Sequence, residues 1–246
     1  MFRHKGKTRT LKHNLNIASL LSFVAGLVNV AGFLAIQRLT TNVTGHFAFF
    51  VDEIFQLNIW QGFIYFLYIF FFFLGSFVSS LLVEIISKKS ERLIYIIPIV
   101  IESIILLLLA VFGQFLVLQT ADFFACSLLF AMGLQNSLVT TISNATVRTT
   151  HLTGLFTDLG IELSQLFFYK QKDQKDKLRS SIKLRLTIIT FFFIGGLSGG
   201  IFYSTFKLHV LAIAAAVLII GIIYDDVKLK FMRKNSNLKD KRKDHL

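Results

Sequence analysis

Two stretches decide the fold. The first is Phe23-Val24-Ala25-Gly26-Leu27-Val28-Asn29, followed by Thr41-Asn42-Val43-Thr44-Gly45. The second is Phe130-Ala131-Met132-Gly133-Leu134-Gln135-Asn136, followed by Thr150-His151-Leu152-Thr153-Gly154. Phe23, Gly26 and Asn29 match Phe130, Gly133 and Asn136 at an offset of 107 residues. Thr41, Thr44, Gly45 and Glu53 match Thr150, Thr153, Gly154 and Glu162 at 109. Phe73-Leu74-Gly75-Ser76 then matches Phe193-Ile194-Gly195-Gly196 at 120, with a basic loop over residues 170–181 taking up the difference. Three blocks in one order imply a duplicated unit.

The unit sits in an apolar chain. Of 246 residues 54% are hydrophobic and 16% charged, and the mean hydropathy is +0.66. A soluble domain needs more polar surface. Apolar runs cover residues 15–37, 62–86, 93–112, 119–142, 183–206 and 208–224. A crossing takes about 20 residues, and 17 is the lower limit. The first run is too long for a signal-peptide core and has no small-residue cleavage site, so it reads as a retained helix. One cysteine, Cys126, excludes an internal disulfide.

The net charge of +12 is distributed as a membrane protein distributes it. Alternate segments between the six runs hold 24 of the Lys and Arg residues, and the intervening ones hold 2. This positive-inside pattern predicts six crossings with both termini in the cytoplasm. It argues against nucleic acid as the partner. The basic tail over 228–243 suits anionic lipid headgroups.

Two apolar segments, 44–57 and 153–169, fall outside the six runs. If both spanned, Lys88, Lys89 and Arg92 would lie outside, against the charge bias. They are therefore expected to be short re-entrant or interfacial helices. The predicted architecture is an all-α membrane protein with six transmembrane helices plus these two. A basic N-terminus (1–14), a first membrane repeat (15–112), a second (119–224) and a basic tail (225–246) follow one another. Three crossings per half, an odd number, make it an inverted repeat.

The motifs carry two readings each. Thr44 and Thr153 are good N-caps, and Gly45 and Gly154 allow close approach. Two half-helix N-termini could face one polar or anionic solute, with Thr41, Thr150, Asn29 and Asn136 beside it. The bland alternative is ordinary capping, with the Asn residues as interhelical glue. His151, Asp158, Glu162 and the intramembrane Glu102 are candidates for proton or ion coupling. Arg148 could meet a substrate anion or Asp158, or be a plain cytoplasmic charge. Gly195-Gly196-Leu197-Ser198-Gly199-Gly200 reads as close helix packing. No phosphate-binding loop, dinucleotide fingerprint, zinc-ligand spacing or nucleophile elbow is present, so neither enzyme, cofactor nor metal is expected.

The block 130–136, then Arg148-Thr149-Thr150-His151-Leu152-Thr153-Gly154 and Asp158-Leu159-Gly160, resembles the YoaK family (domain of unknown function 1275). Val24-Ala25-Gly26 with Asn42-Val43-Thr44-Gly45 resembles its N-terminal block. The chain has Asn29 where the family often has Asp, and His46 where Asn is common. The resemblance implies a bacterial cytoplasmic-membrane protein with six crossings and no established activity. The residues themselves favour a secondary transporter or channel for a small polar or anionic solute. The alternative is a non-transporting scaffold or regulator. An intramembrane enzyme is the weakest reading.

Overall fold

The computed structural model describes residues 10–87 and 93–243. The basic residues Arg3, Lys5, Lys7, Arg9, Lys88, Lys89 and Arg92, which entered the charge count, lie outside them. Seven α-helices follow in order: α1 (Leu11–Ile36), α2 (Thr44–Phe55), α3 (Ile59–Ser87), α4 (Leu93–Ile142), α5 (Leu152–Phe168), α6 (Lys172–Phe206) and α7 (Val210–Lys243). A 3-10 turn, Lys207–His209, links α6 to α7. Among the described residues there is no strand.

Among the described residues four stretches are long and apolar enough to cross a membrane: Leu11–Ile36, Ile59–Ser87, Leu93–Ile142 and Lys172–Asp225. The last two hold 50 and 54 residues, more than twice what one crossing takes. α4 is broken at Thr120, whose backbone (φ −150°, ψ 71°) leaves the helical region. Its two arms, 93–119 and 121–142, are separate rods. Residues 113–118, expected to be an interhelical gap, instead belong to the end of the first arm.

The apolar residues that stay exposed are as informative as the buried ones. Phe63, Phe66, Phe70, Phe73 and Phe77 of α3 are all exposed. Their spacing of three and four places them on one face. Such a stripe is a liability in water and the ordinary surface of a helix in lipid.

Glycine sets the closest contacts. A Cβ on Gly26 of α1 would lie 2.0 Å from the Phe192 carbonyl oxygen of α6, and one on Gly195 would lie 2.0 Å from that of Phe23. A Cβ on Gly133 would lie 2.2 Å from the Phe72 oxygen of α3, and one on Gly75 would lie 2.1 Å from that of Phe130. Adding 107 to the residues of α1 and 120 to those of α3 turns each seam into the other. Backbones meet directly here, which only the smallest residue permits.

Two local expectations need correction. Residues 170–181, expected to be a basic loop, are largely the first turns of α6. Lys, Gln, Arg and Leu are strong helix formers. Asp173 also sits in the first turn, where it complements the helix dipole. The second correction concerns Thr44 and Thr153. The N-caps are Val43 and His151, and neither makes a side-chain capping bond. Thr44 is the first helical residue, Thr153 the second, and both are exposed. The chain is already in helical conformation at Val43 (φ −105°, ψ −27°), so the threonines arrive too late to cap.

Candidate functional site

The threonines that do bind sit three residues earlier in the chain. α1 ends where Gln37 turns left-handed (φ 53°) and donates its N–H to the Phe33 carbonyl at 2.7 Å. α4 ends at the matching place, Asn144 (φ 55°), 107 residues on. Each following segment folds back on its own helix. Thr41 Oγ1 donates to Asn29 Oδ1 at 2.7 Å. Thr150 Oγ1 and Thr149 Oγ1 donate to Asn136 Oδ1 at 3.0 and 3.3 Å. Asn136 Nδ2 is spent on the Met132 carbonyl of its own helix at 3.0 Å. Among the described residues neither Asn bonds across to another long helix; each pins the chain leaving its own. The glycines after them make room: a Cβ on Gly45 would lie 2.4 Å from Leu39 Cδ1, and one on Gly154 would lie 2.8 Å from His151 Nδ1.

Beyond these clamps the halves differ. In the first, His46 is fully buried and its Nε2 donates to the Leu39 carbonyl at 2.6 Å. Its ring packs against Tyr65 and Tyr68. Burial lowers the His46 pKa; the Leu39 carbonyl opposes this, and the Arg38 charge adds to it. Arg38 donates to the Tyr65 hydroxyl, and the Tyr68 hydroxyl donates to Asp122. The sequence gives no sign of this cluster, because Tyr65 and Tyr68 lie in a Phe-rich run with no polar neighbour.

In the second half, 120 residues after Tyr65, stands Arg185. It pairs with Asp158 at 2.9 Å and with both Glu162 oxygens, each at 2.9 Å, while Ser181 Oγ donates to Glu162 at 2.6 Å. Desolvation pushes the Glu162 carboxyl up, but the bonds from Arg185 and Ser181 and the guanidinium charge hold it below its usual range. Asp158 thus pairs with Arg185 and not with Arg148. Beside this bridge is a cavity of about 300 Å³, lined by Arg148, His151, Gly154, Asp158, Ser181 and Arg185 among others. Arg148 is exposed, and no hydrogen bond or ion pair engages it among the described residues. His151 is exposed on the same rim.

Glu102 is placed differently. It is fully buried on the first arm of α4 and accepts a bond from Gln135 Nε2 at 2.9 Å. Its other carboxyl oxygen has no partner. No spacing rule links Glu102 to Gln135, 33 residues on and on the other arm. Among the described residues no cluster of three His, Cys, Asp or Glu side chains could hold a metal.

A family profile for proteins of unknown function, DUF1275, matches residues 17–224, nearly all of the helical assembly. The chain belongs to the DUF1275 family. No curated protein matches it, and no solved structure does. The long apolar helices mark it as a helical membrane protein.

Proposed function

We propose that this protein is a secondary transporter or channel for a small polar or anionic solute, built from two inverted repeats in the bacterial cytoplasmic membrane. The cavity beside Arg148 carries the reading. It offers an unengaged guanidinium next to the first turn of α5, where free N–H groups and the helix dipole favour an anion. The segment that forms its wall is held by Thr149 and Thr150 on Asn136. The matching glycine seams and left-handed helix ends support the duplication, and six crossings with two short helices make each half odd-numbered. In the first half Tyr65 stands where the second half has Arg185, and the buried His46 ring packs against it.

Binding is testable with purified protein and a thermal-shift panel of small carboxylates, phosphate and amino acids. At least one should raise the melting temperature, and Arg148→Gln should weaken its binding roughly tenfold or more, the worth of one charge-assisted hydrogen bond. Arg148 is exposed, so the variant should fold. A panel without a single stabilising solute, or full affinity in Arg148→Gln, counts against the site. It would favour the scaffold reading, in which the glycine seams are the protein's main business.

Orientation has its own test. Cysteines introduced by Ser90→Cys and Ser236→Cys should react with a membrane-impermeant thiol reagent only after the cells are opened. Labelling of either in intact cells overturns the six-crossing topology with cytoplasmic termini.

A further inference from the structure

We propose that Glu102 is a reversible proton-binding site, linked to the solute cavity through Gln135, Thr149 and Asn136. The inference rests on the transport reading and narrows it to a proton-coupled carrier. Glu102 has no exposed surface, one amide donor and one orphaned oxygen. An ionised carboxylate there has no cation to offset its desolvation, so the resting site holds the neutral acid. The titratable groups on the elements packed against α4 include His13 of α1, Tyr68 and Glu84 of α3, His209 of the 3-10 turn and Asp225 of α7. None of them bonds to or pairs with Glu102, whose only hydrogen bond among the described residues comes from Gln135.

The geometry selects a proton over a metal cation. Gln135 turns its NH₂ toward the carboxyl, so a metal ion would meet donors where it needs oxygens. The same amide reaches the buried side of the segment whose Arg148 and His151 line the cavity. Its oxygen accepts from Thr149 Oγ1 at 3.5 Å, and Thr149 also bonds Asn136, which holds Thr150. Thr149 is itself buried, between Arg148 and His151 of the cavity lining. A solute that draws on those two side chains and shifts the segment breaks the long Thr149–Gln135 bond and frees the amide to turn away from Glu102. Losing that N–H favours the neutral acid, so solute and proton favour each other's binding. The proton comes from water and returns to water, and only the carboxyl O–H bond forms or breaks.

Infrared spectroscopy of the full chain in phosphatidylethanolamine–phosphatidylglycerol vesicles tests the site without a known solute. We expect a carboxylic-acid carbonyl band that shifts in D₂O and is lost in Glu102→Gln, a neutral isostere that should keep the fold. Thr149→Val should keep the band but slow its shift several-fold. Identical spectra of wild type and Glu102→Gln, or a band that never shifts in D₂O, overturn the proton site. Wild-type exchange in Thr149→Val overturns the route. In the same vesicles with an entrapped pH dye, solute uptake without a dye response refutes the coupling and leaves transport standing. A shifting band with no uptake of any panel solute sinks the transport reading and the coupling with it.

Discussion

Gly195→Ala should cost this protein most of its folded yield, although the change adds one methyl group. The new Cβ would stand 2.0 Å from the Phe23 carbonyl oxygen and 2.8 Å from its carbon, and backbone cannot rotate out of the way as a side chain can. α1 and α6 must then separate along their whole seam. Overpacking costs about 1–3 kcal/mol where side chains can adjust, and a backbone clash belongs at or above the top of that range. Gly75→Ala should behave alike, since its Cβ would lie 2.1 Å from the Phe130 oxygen. Gly160→Ala is the control. Nothing lies within 4 Å of a Cβ there, and an exposed helical Gly→Ala change should stabilise by up to about 1 kcal/mol. Size-exclusion profiles and thermal unfolding of the three variants should separate them cleanly. A monodisperse Gly195→Ala with wild-type stability would mean that the helices do not touch at this seam.

Arg185→Met should release α5 from α6. Arg185 anchors both acidic residues of α5, and the Glu162 side chain is only 13% exposed. Removing the guanidinium leaves a largely buried carboxylate bonded by Ser181 alone. Breaking a fully buried pair costs about 3–5 kcal/mol; partial exposure brings the expectation here to about 2 kcal/mol. Amide hydrogen exchange should rise through α5 first. The double variant Arg185→Met with Glu162→Gln should recover part of the loss, since the unpaired charge is gone. The pH dependence has a definite sign. A carboxyl held low contributes stability that is complete above its unfolded value, about 4.3, and is lost as pH falls through the lower folded value. Protection of α5 should therefore drop below about pH 4 in the wild type. Glu162→Gln should lack that drop; an equal drop in that variant would assign it to another group.

Much of this protein was legible in its residues because bilayers impose simple rules. Apolar run length and the glycine-rich block over 195–200 are local quantities, and each had a direct structural consequence. The blocks around Gly26 and Gly133 are where backbones meet, whereas Asn29 and Asn136, expected as solute contacts or interhelical glue, bind the threonines of the following segment. Thr44 and Thr153 were misread because a cap depends on where the backbone enters the helix. That point is set by the upstream clamps on Asn29 and Asn136, one turn back across the loop. The loop expected over 170–181 proved helical because its residues favour helix whatever their charge.

By itself, then, the amino-acid sequence determined the all-helical, membrane-embedded class, the placement of the long helices and the residues at the two seams. It also carried enough signature for membership of DUF1275. Only the tertiary structure decided which polar side chains find one another: Glu102 with Gln135, Arg185 with Asp158 and Glu162, His46 beneath Tyr65 and Tyr68. The reason is physical. Apolar burial follows composition and period, which are read along the chain. A buried polar group is satisfied by whichever partner the packed helices bring within about 3 Å, and that proximity depends on how helices distant in sequence cross.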